Sequence, residues 1–110
     1  MRTGRFVLSN DKCFISYVKI REYLLNPAKK HAAEFFNVGY SVKNVERLKR
    51  DIENQFDFSK AVDFQKGYED SEKFSIMMIL GIKNRKRFRS VWQKDDPDSI
   101  PRLITVFRED

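Results

Sequence analysis

The sequence holds one cysteine, Cys13, and one histidine, His31. A single cysteine excludes an intramolecular disulfide framework, and one histidine beside it leaves too few ligands for a Cys/His zinc site. Any chemistry that relies on an imidazole must use His31. Glycine (4) and proline (3) are scarce in 110 residues, which argues against a disordered or low-complexity chain. No apolar run approaches the roughly 20 residues that a membrane-spanning helix needs. No long apolar stretch follows Met1 to Arg5, so no signal peptide is expected, and the expected compartment is the reducing cytoplasm. Neither a phosphate-cradling glycine loop nor a dinucleotide fingerprint is present, and no cofactor or metal is expected.

What the chain does have is cationic charge and phenylalanine. Lys and Arg number 22 against 16 Asp and Glu, a net charge of +6, and ten Phe can furnish an aromatic core. The charge is uneven. Residues 1–50 carry 11 basic and 4 acidic side chains, residues 51–82 carry 3 and 7, and residues 83–110 carry 8 and 5. Lys83 to Lys94 (KNRKRFRSVWQK) holds six cations and no anion. Such a block attracts polyanions, because each neutralised phosphate releases condensed counterions. It can equally be a solvated turn.

The length suits a single domain over 1–110, with residues 1–17 an N-terminal extension or strand. Arg5 to Leu8 reads as a short strand, Ser9 to Lys12 as a turn, and Cys13 to Ile20 as a strand by its β-branched and aromatic content, or as a lead into a helical turn over 20–25. Asn26-Pro27 then marks a helix start. The spacing predicts a helix over Pro27 to Val38, with Ala28, Ala32, Phe35 and Phe36 inward and Gly39 as its stop. Ser41 caps a second helix, whose stripe is Val42, Val45, Leu48, Ile52 and Phe56. After Phe58 the period falls to two. Strands are expected at Ala61–Gln65, Lys73–Ile82, Lys86–Gln93 and Arg102–Arg108. Phe88, Ser90 and Trp92 share one face; Leu103, Thr105 and Phe107 share another. The resulting class is α+β, two N-terminal helices packed on a four-stranded antiparallel sheet.

Cationic strands suit one chemistry that needs no metal. RNA carries its own nucleophile, the 2′-hydroxyl, so a catalyst needs a base, an acid and cations around the phosphate. Candidates are His31 and Lys30 on the first helix, and Arg87, Arg89, Trp92, Arg102 and Thr105 on the last strands, with Lys86 beside Arg87. Each has a plainer reading. His31 at a helix edge can be a half-buried structural residue, Lys30 and Glu34 can pair on the surface, and Trp92 can be core rather than a platform for a base. Simple alternation sets Arg89 and Arg102 on other strand faces from Trp92 and Thr105, unless a bulge intervenes. Asp95, Asp96 and Asp98 read as a solvated turn.

Tyr23 to Pro27 (YLLNP), the Ala- and Phe-containing helix ending at Gly39-Tyr40, the FRSVW of Phe88 to Trp92 and the PRLIT of Pro101 to Thr105 are moderately specific. Over residues 18–108 they resemble a bacterial and phage family of small domains grouped with the BECR (Barnase–EndoU–colicin E5–RelE-like) nucleases. Those domains occur in polymorphic toxins beside antitoxin partners and in phage head-morphogenesis proteins. The resemblance implies a helix pair followed by a four-stranded sheet and an RNA-cleaving activity. It matches Arg89, Trp92, Arg102 and Thr105 to family positions. His31, four residues before Phe35, falls where the family often has a lysine, with Lys30 next to it, which leaves the identity of the base open.

Three expectations follow. The first is a metal-independent ribonuclease or nuclease-like toxin, with His31 or Lys30 as base or acid and Arg89 and Arg102 as phosphate clamps. The second is a non-catalytic nucleic-acid- or protein-binding module using the same cations. The third is a protein that binds an acidic antitoxin or immunity partner.

Overall fold

The computed structural model describes residues 12–109; the strand read at Arg5 to Leu8 and most of the turn after it lie outside them. Phe14 makes a single parallel bridge to Arg102. Its N–H donates to the Pro101 carbonyl (2.8 Å), and its own carbonyl accepts from Leu103 N–H (3.0 Å). The strand expected at Cys13 to Ile20 stops there. Ser16 caps a short helix, α1 (Tyr17–Lys19), by accepting from Lys19 N–H at 3.2 Å. The chain then widens into a π-turn over Ile20–Leu24, closed by Leu25 N–H on the Ile20 carbonyl (2.9 Å). Burial decides this. Ile20, Leu24 and Leu25 are all inside, a helical spacing that overrides the β-propensity of the run.

Asn26 caps a turn rather than a helix. Its Oδ1 accepts from Ala28 N–H (2.9 Å) while its Nδ2 donates to the Glu22 carbonyl (3.1 Å). Two successive three-residue closures, Lys29 on Asn26 and Ala32 on Lys29, delay the α-helix. It therefore begins five residues later than expected, as α2 (Ala32–Asn37). Its inward face is Ala32 and Phe35, followed by Val38; Ala28 and Phe36 are exposed. Gly39 ends it at φ +108°, where a Cβ would stand 3.1 Å from both Ile82 Cβ and Lys83 N. The close approach is used: the Val38 carbonyl accepts from Ile82 N–H (2.7 Å) and Lys83 N–H (3.0 Å), tying the helix end to the β-hairpin.

Ser41 caps as expected, in a capping box with Asn44, but over a 3₁₀ turn (Val42–Asn44) that leaves Val42 outside. Helix α3 (Val45–Gln55) follows and buries Val45, Leu48 and Ile52, with Phe56 just beyond. A second 3₁₀ turn (Phe58–Lys60) leads to β1 (Val62–Lys66), β2 (Glu72–Leu80), β3 (Lys86–Lys94) and β4 (Arg102–Arg108). All pairings are antiparallel, in the order β1-β2-β3-β4.

The helices cover one face of this sheet. Phe74, Ile76, Met78 and Leu80 of β2, and Phe88, Ser90 and Trp92 of β3, are buried there. Phe35 stacks on Phe88 (5.1 Å between centroids), and Phe56 meets Trp92 edge-on (4.6 Å). The two polar groups in this layer satisfy each other: Trp92 Nε1 donates to Ser90 Oγ (2.8 Å), which donates to the Ile76 carbonyl (2.7 Å).

Strand β4 does not alternate simply. Val91 faces Thr105, yet its neighbour Trp92 faces Leu103, so Ile104 is an extra residue, a β-bulge. The expectation that Leu103, Thr105 and Phe107 share a face is corrected. Leu103 and Val106 point into the core, while Thr105 and Phe107 lie with Val91 and Arg89 on the other face. Arg102, opposite Gln93, joins that same face.

Candidate active site

The outer edge of β4 carries unpaired backbone groups, and the N-terminal half of the chain covers them. Phe14 pairs beside Arg102 and Leu103. Lys19 Nζ donates to the Ile104 carbonyl (3.1 Å). Glu34 Oε1 accepts from Arg108 N–H (2.9 Å). Between these fastenings lies a cleft of about 560 Å³, lined by Lys19, Tyr23, Lys29, Lys30, His31 and Thr105 among others.

His31 precedes α2 and is half-buried. Its ring packs on Phe107, 5.5 Å between centroids with planes 29° apart. Its Nδ1 lies 3.1 Å from Glu34 Oε2. The surface pair expected between Lys30 and Glu34 is replaced: Glu34 serves His31 and the strand edge instead. Lys19 and Lys29 lie over the Tyr23 ring, at 5.1 and 5.2 Å from its centroid. No described carboxylate pairs with Lys19, Lys29 or Lys30. The cleft is thus a concave cationic surface holding one imidazole, suited to an anion.

Of the residues singled out in the sequence, Lys30, His31 and Thr105 come together here. Arg89 and Arg102 do not. Arg89 faces Phe107 across the ladder, but its guanidinium is clamped by Glu109, Nε to Oε1 and Nη2 to Oε2 both 3.1 Å, and by Asp63, Nη1 to Oδ2 2.6 Å. These hydrogen bonds, Glu109 first, raise its already high pKa, and the same contact holds Glu109 below the usual carboxylate range. Asp63 stands at φ +56° within the irregular stretch of β1. Arg102 ends on Asp95 (both contacts 3.3 Å), and its hydrogen bonds, with a further one from Gln93, lower the Asp95 pKa. Gln93, its ladder partner, is four residues along β3 from Arg89, about 13 Å at strand rise.

Lys86 and Arg87 are exposed at the start of β3, next to the hairpin turn. Trp92 is fully buried, so it belongs to the core and offers no platform to a base. A second hollow, about 460 Å³, lies on the open sheet face against Asp63, Phe64, Lys73 and Arg89; its arginine is already neutralised. Burial pushes the Cys13 thiol up to about 12, which leaves it a poor nucleophile. Among the described residues no three His, Cys, Asp or Glu side chains gather as a metal site, and no helix is long and apolar enough to cross a membrane.

Lys19, Lys29 and Tyr23 are not among the site candidates that the sequence suggests, nor is the pairing of Glu34 with His31. The three-residue spacing of His31 and Glu34 was available as a signal; nothing local announces Lys19, whose place depends on a contact 85 residues away.

Residues 8–110 match the domain of unknown function DUF6883, and the chain belongs to that family. No curated protein and no solved structure matches it.

Proposed function

We propose that this member of the DUF6883 family binds RNA in the cleft between α1 and β4 and cleaves its phosphodiesters without a metal ion, in the cytoplasm. The observation that supports the reading is the combination, in one cleft, of an imidazole tethered through Nδ1 and three lysines that no described carboxylate neutralises. His31 Nε2 takes the proton of a 2′-hydroxyl. The 2′-oxygen attacks the adjacent phosphorus, the bond from phosphorus to the 5′-oxygen breaks, and that oxygen takes a proton from Lys30. The products are a 2′,3′-cyclic phosphate and a 5′-hydroxyl end. Lys19 and Lys29 counter the charge on the phosphate, and the Thr105 hydroxyl offers a further donor. Lys86 and Arg87 hold phosphates farther along the strand. The phosphate-clamp role expected of Arg89 and Arg102 passes to these lysines. The resemblance to BECR-grouped nuclease toxins points to the same chemistry.

The test is single-stranded RNA incubated with the purified protein in EDTA. Fragments with cyclic phosphate ends are expected from the wild type and none from His31→Ala. Intact RNA at high protein excess overturns cleavage. If that RNA is still retained in a salt-sensitive way, the chain is a non-catalytic nucleic-acid-binding module. If RNA is neither cut nor retained and an acidic protein co-purifies, the cleft receives an antitoxin or immunity partner.

A further inference from the structure

Glu34 stands behind His31, outside the lining of the cleft, and both its oxygens are occupied. Oε2 faces His31 Nδ1 (3.1 Å), and Oε1 accepts the Arg108 N–H at the edge of β4 (2.9 Å). An ionised carboxylate only accepts hydrogen bonds. The neutral imidazole must therefore carry its proton on Nδ1, because a bare Nδ1 would set two lone pairs against each other. Rotating Glu34 away would break its hydrogen bond to the strand-edge N–H. The ring itself is packed on Phe107, with centroids 5.5 Å apart. Nε2 has no partner among the described residues. We infer that Glu34 is a positioning residue: it fixes His31 in the Nδ1–H tautomer and leaves Nε2 as a proton acceptor at the lysine cleft. The tautomer stands on this geometry alone; its catalytic consequence rests on the RNA-cleaving reading above.

The inventory of donors gives a substitution that keeps the contacts and inverts the proton. In Glu34→Gln the amide oxygen can go on accepting from Arg108 N–H, and its NH₂ then donates to Nδ1. The opposite amide orientation would aim NH₂ at the Arg108 N–H, two donors with no acceptor. The imidazole of the variant must therefore carry its proton on Nε2, where it can no longer act as a base. The experiment is ¹⁵N NMR of the His31 ring at a pH where it is neutral, in the wild type and in Glu34→Gln, with RNA cleavage measured in parallel. The expected results are Nδ1–H in the wild type, Nε2–H in the variant, and cleavage lower by roughly 10²–10⁴-fold with little change in KM. Nε2–H in the wild type overturns the inference even if the variant fails to fold, and so does Nδ1–H persisting in a folded variant. A reversed tautomer with undiminished cleavage overturns the positioning role. A reversed tautomer in a protein that never cuts RNA upholds the role of Glu34 and removes the nuclease reading instead.

Discussion

Two sets of cations share this small molecule, and their surroundings are opposite. Arg89 and Arg102 project from the open face of the sheet, and each ends on carboxylates: Asp63 and Glu109 for the first, Asp95 for the second. Lys19, Lys29 and Lys30 line the cleft at the edge of β4 and meet none among the described residues. The arginines use their planar forks to fasten β1, β3 and the end of β4 to one another, a structural task. The lysines keep their charge available. A count of basic residues cannot separate the two sets; only the distance to the nearest carboxylate does.

The largest effect should fall on the cleft. His31→Ala should lower RNA cleavage by roughly 10²–10⁴-fold, while Arg102→Ala leaves it within about threefold; an equal loss from Arg102→Ala, read on the same gel, would abolish the contrast. Next comes the double variant Lys29→Ala with Lys30→Ala. It should flatten the dependence of log affinity on log salt by about 1.4, two contacts at about 0.7 each for a single strand. RNA titrations at several salt concentrations measure this, and the same double substitution at Arg89 and Arg102 should leave the slope nearly unchanged.

The third effect concerns stability. Glu109 and Asp95 sit below the usual carboxylate range because Arg89 and Arg102, respectively, donate to them, with Gln93 adding to the second. A depressed native pKa stabilises the fold above the unfolded value, about 4, and that contribution is lost as the pH falls through the native value. Arg89→Ala should therefore melt below the wild type at pH 7, and the gap should narrow as the pH drops below about 4. A gap that widens on acidification would show that these contacts act otherwise. The smallest effect is a gain. Asp95→Asn releases Arg102 and should raise RNA affinity by less than about fivefold, since an exposed ion pair is weak. No gain, or a loss, would mean that Arg102 lies off the path of the strand.

Much of the fold is legible in the residues. Val45, Leu48 and Ile52 at helical spacing give α3, and the alternation of Phe88, Ser90 and Trp92 gives β3 and its buried face. The N-terminal segment is not. Its β-branched run is a local preference, whereas the helical path over 17–24 answers to the burial of Ile20 and Leu24 against distant elements. Asn26-Pro27, read as a helix start, opens a turn instead, and nothing local says that two further closures follow before α2 begins. In the site, Lys30, His31 and Thr105 could be picked out by residue type. The neutralisation of Arg89 could not, because its carboxylates lie 26 and 20 residues away in sequence. Nor does any glycine or proline flag the bulge at Ile104.

That one residue has a consequence for how the gene can vary. A strand encodes inside and outside by odd and even positions, and Ile104 shifts the parity once, midway. Loss of its single codon would put the two halves of β4 back in step. Leu103 and Val106 would stay on the core face, and Arg102, Thr105 and Phe107 on the open one, in simple alternation. A three-base deletion here should therefore leave the inside and outside of β4 as they are, whereas loss of the codon for Val106, which is buried, should not.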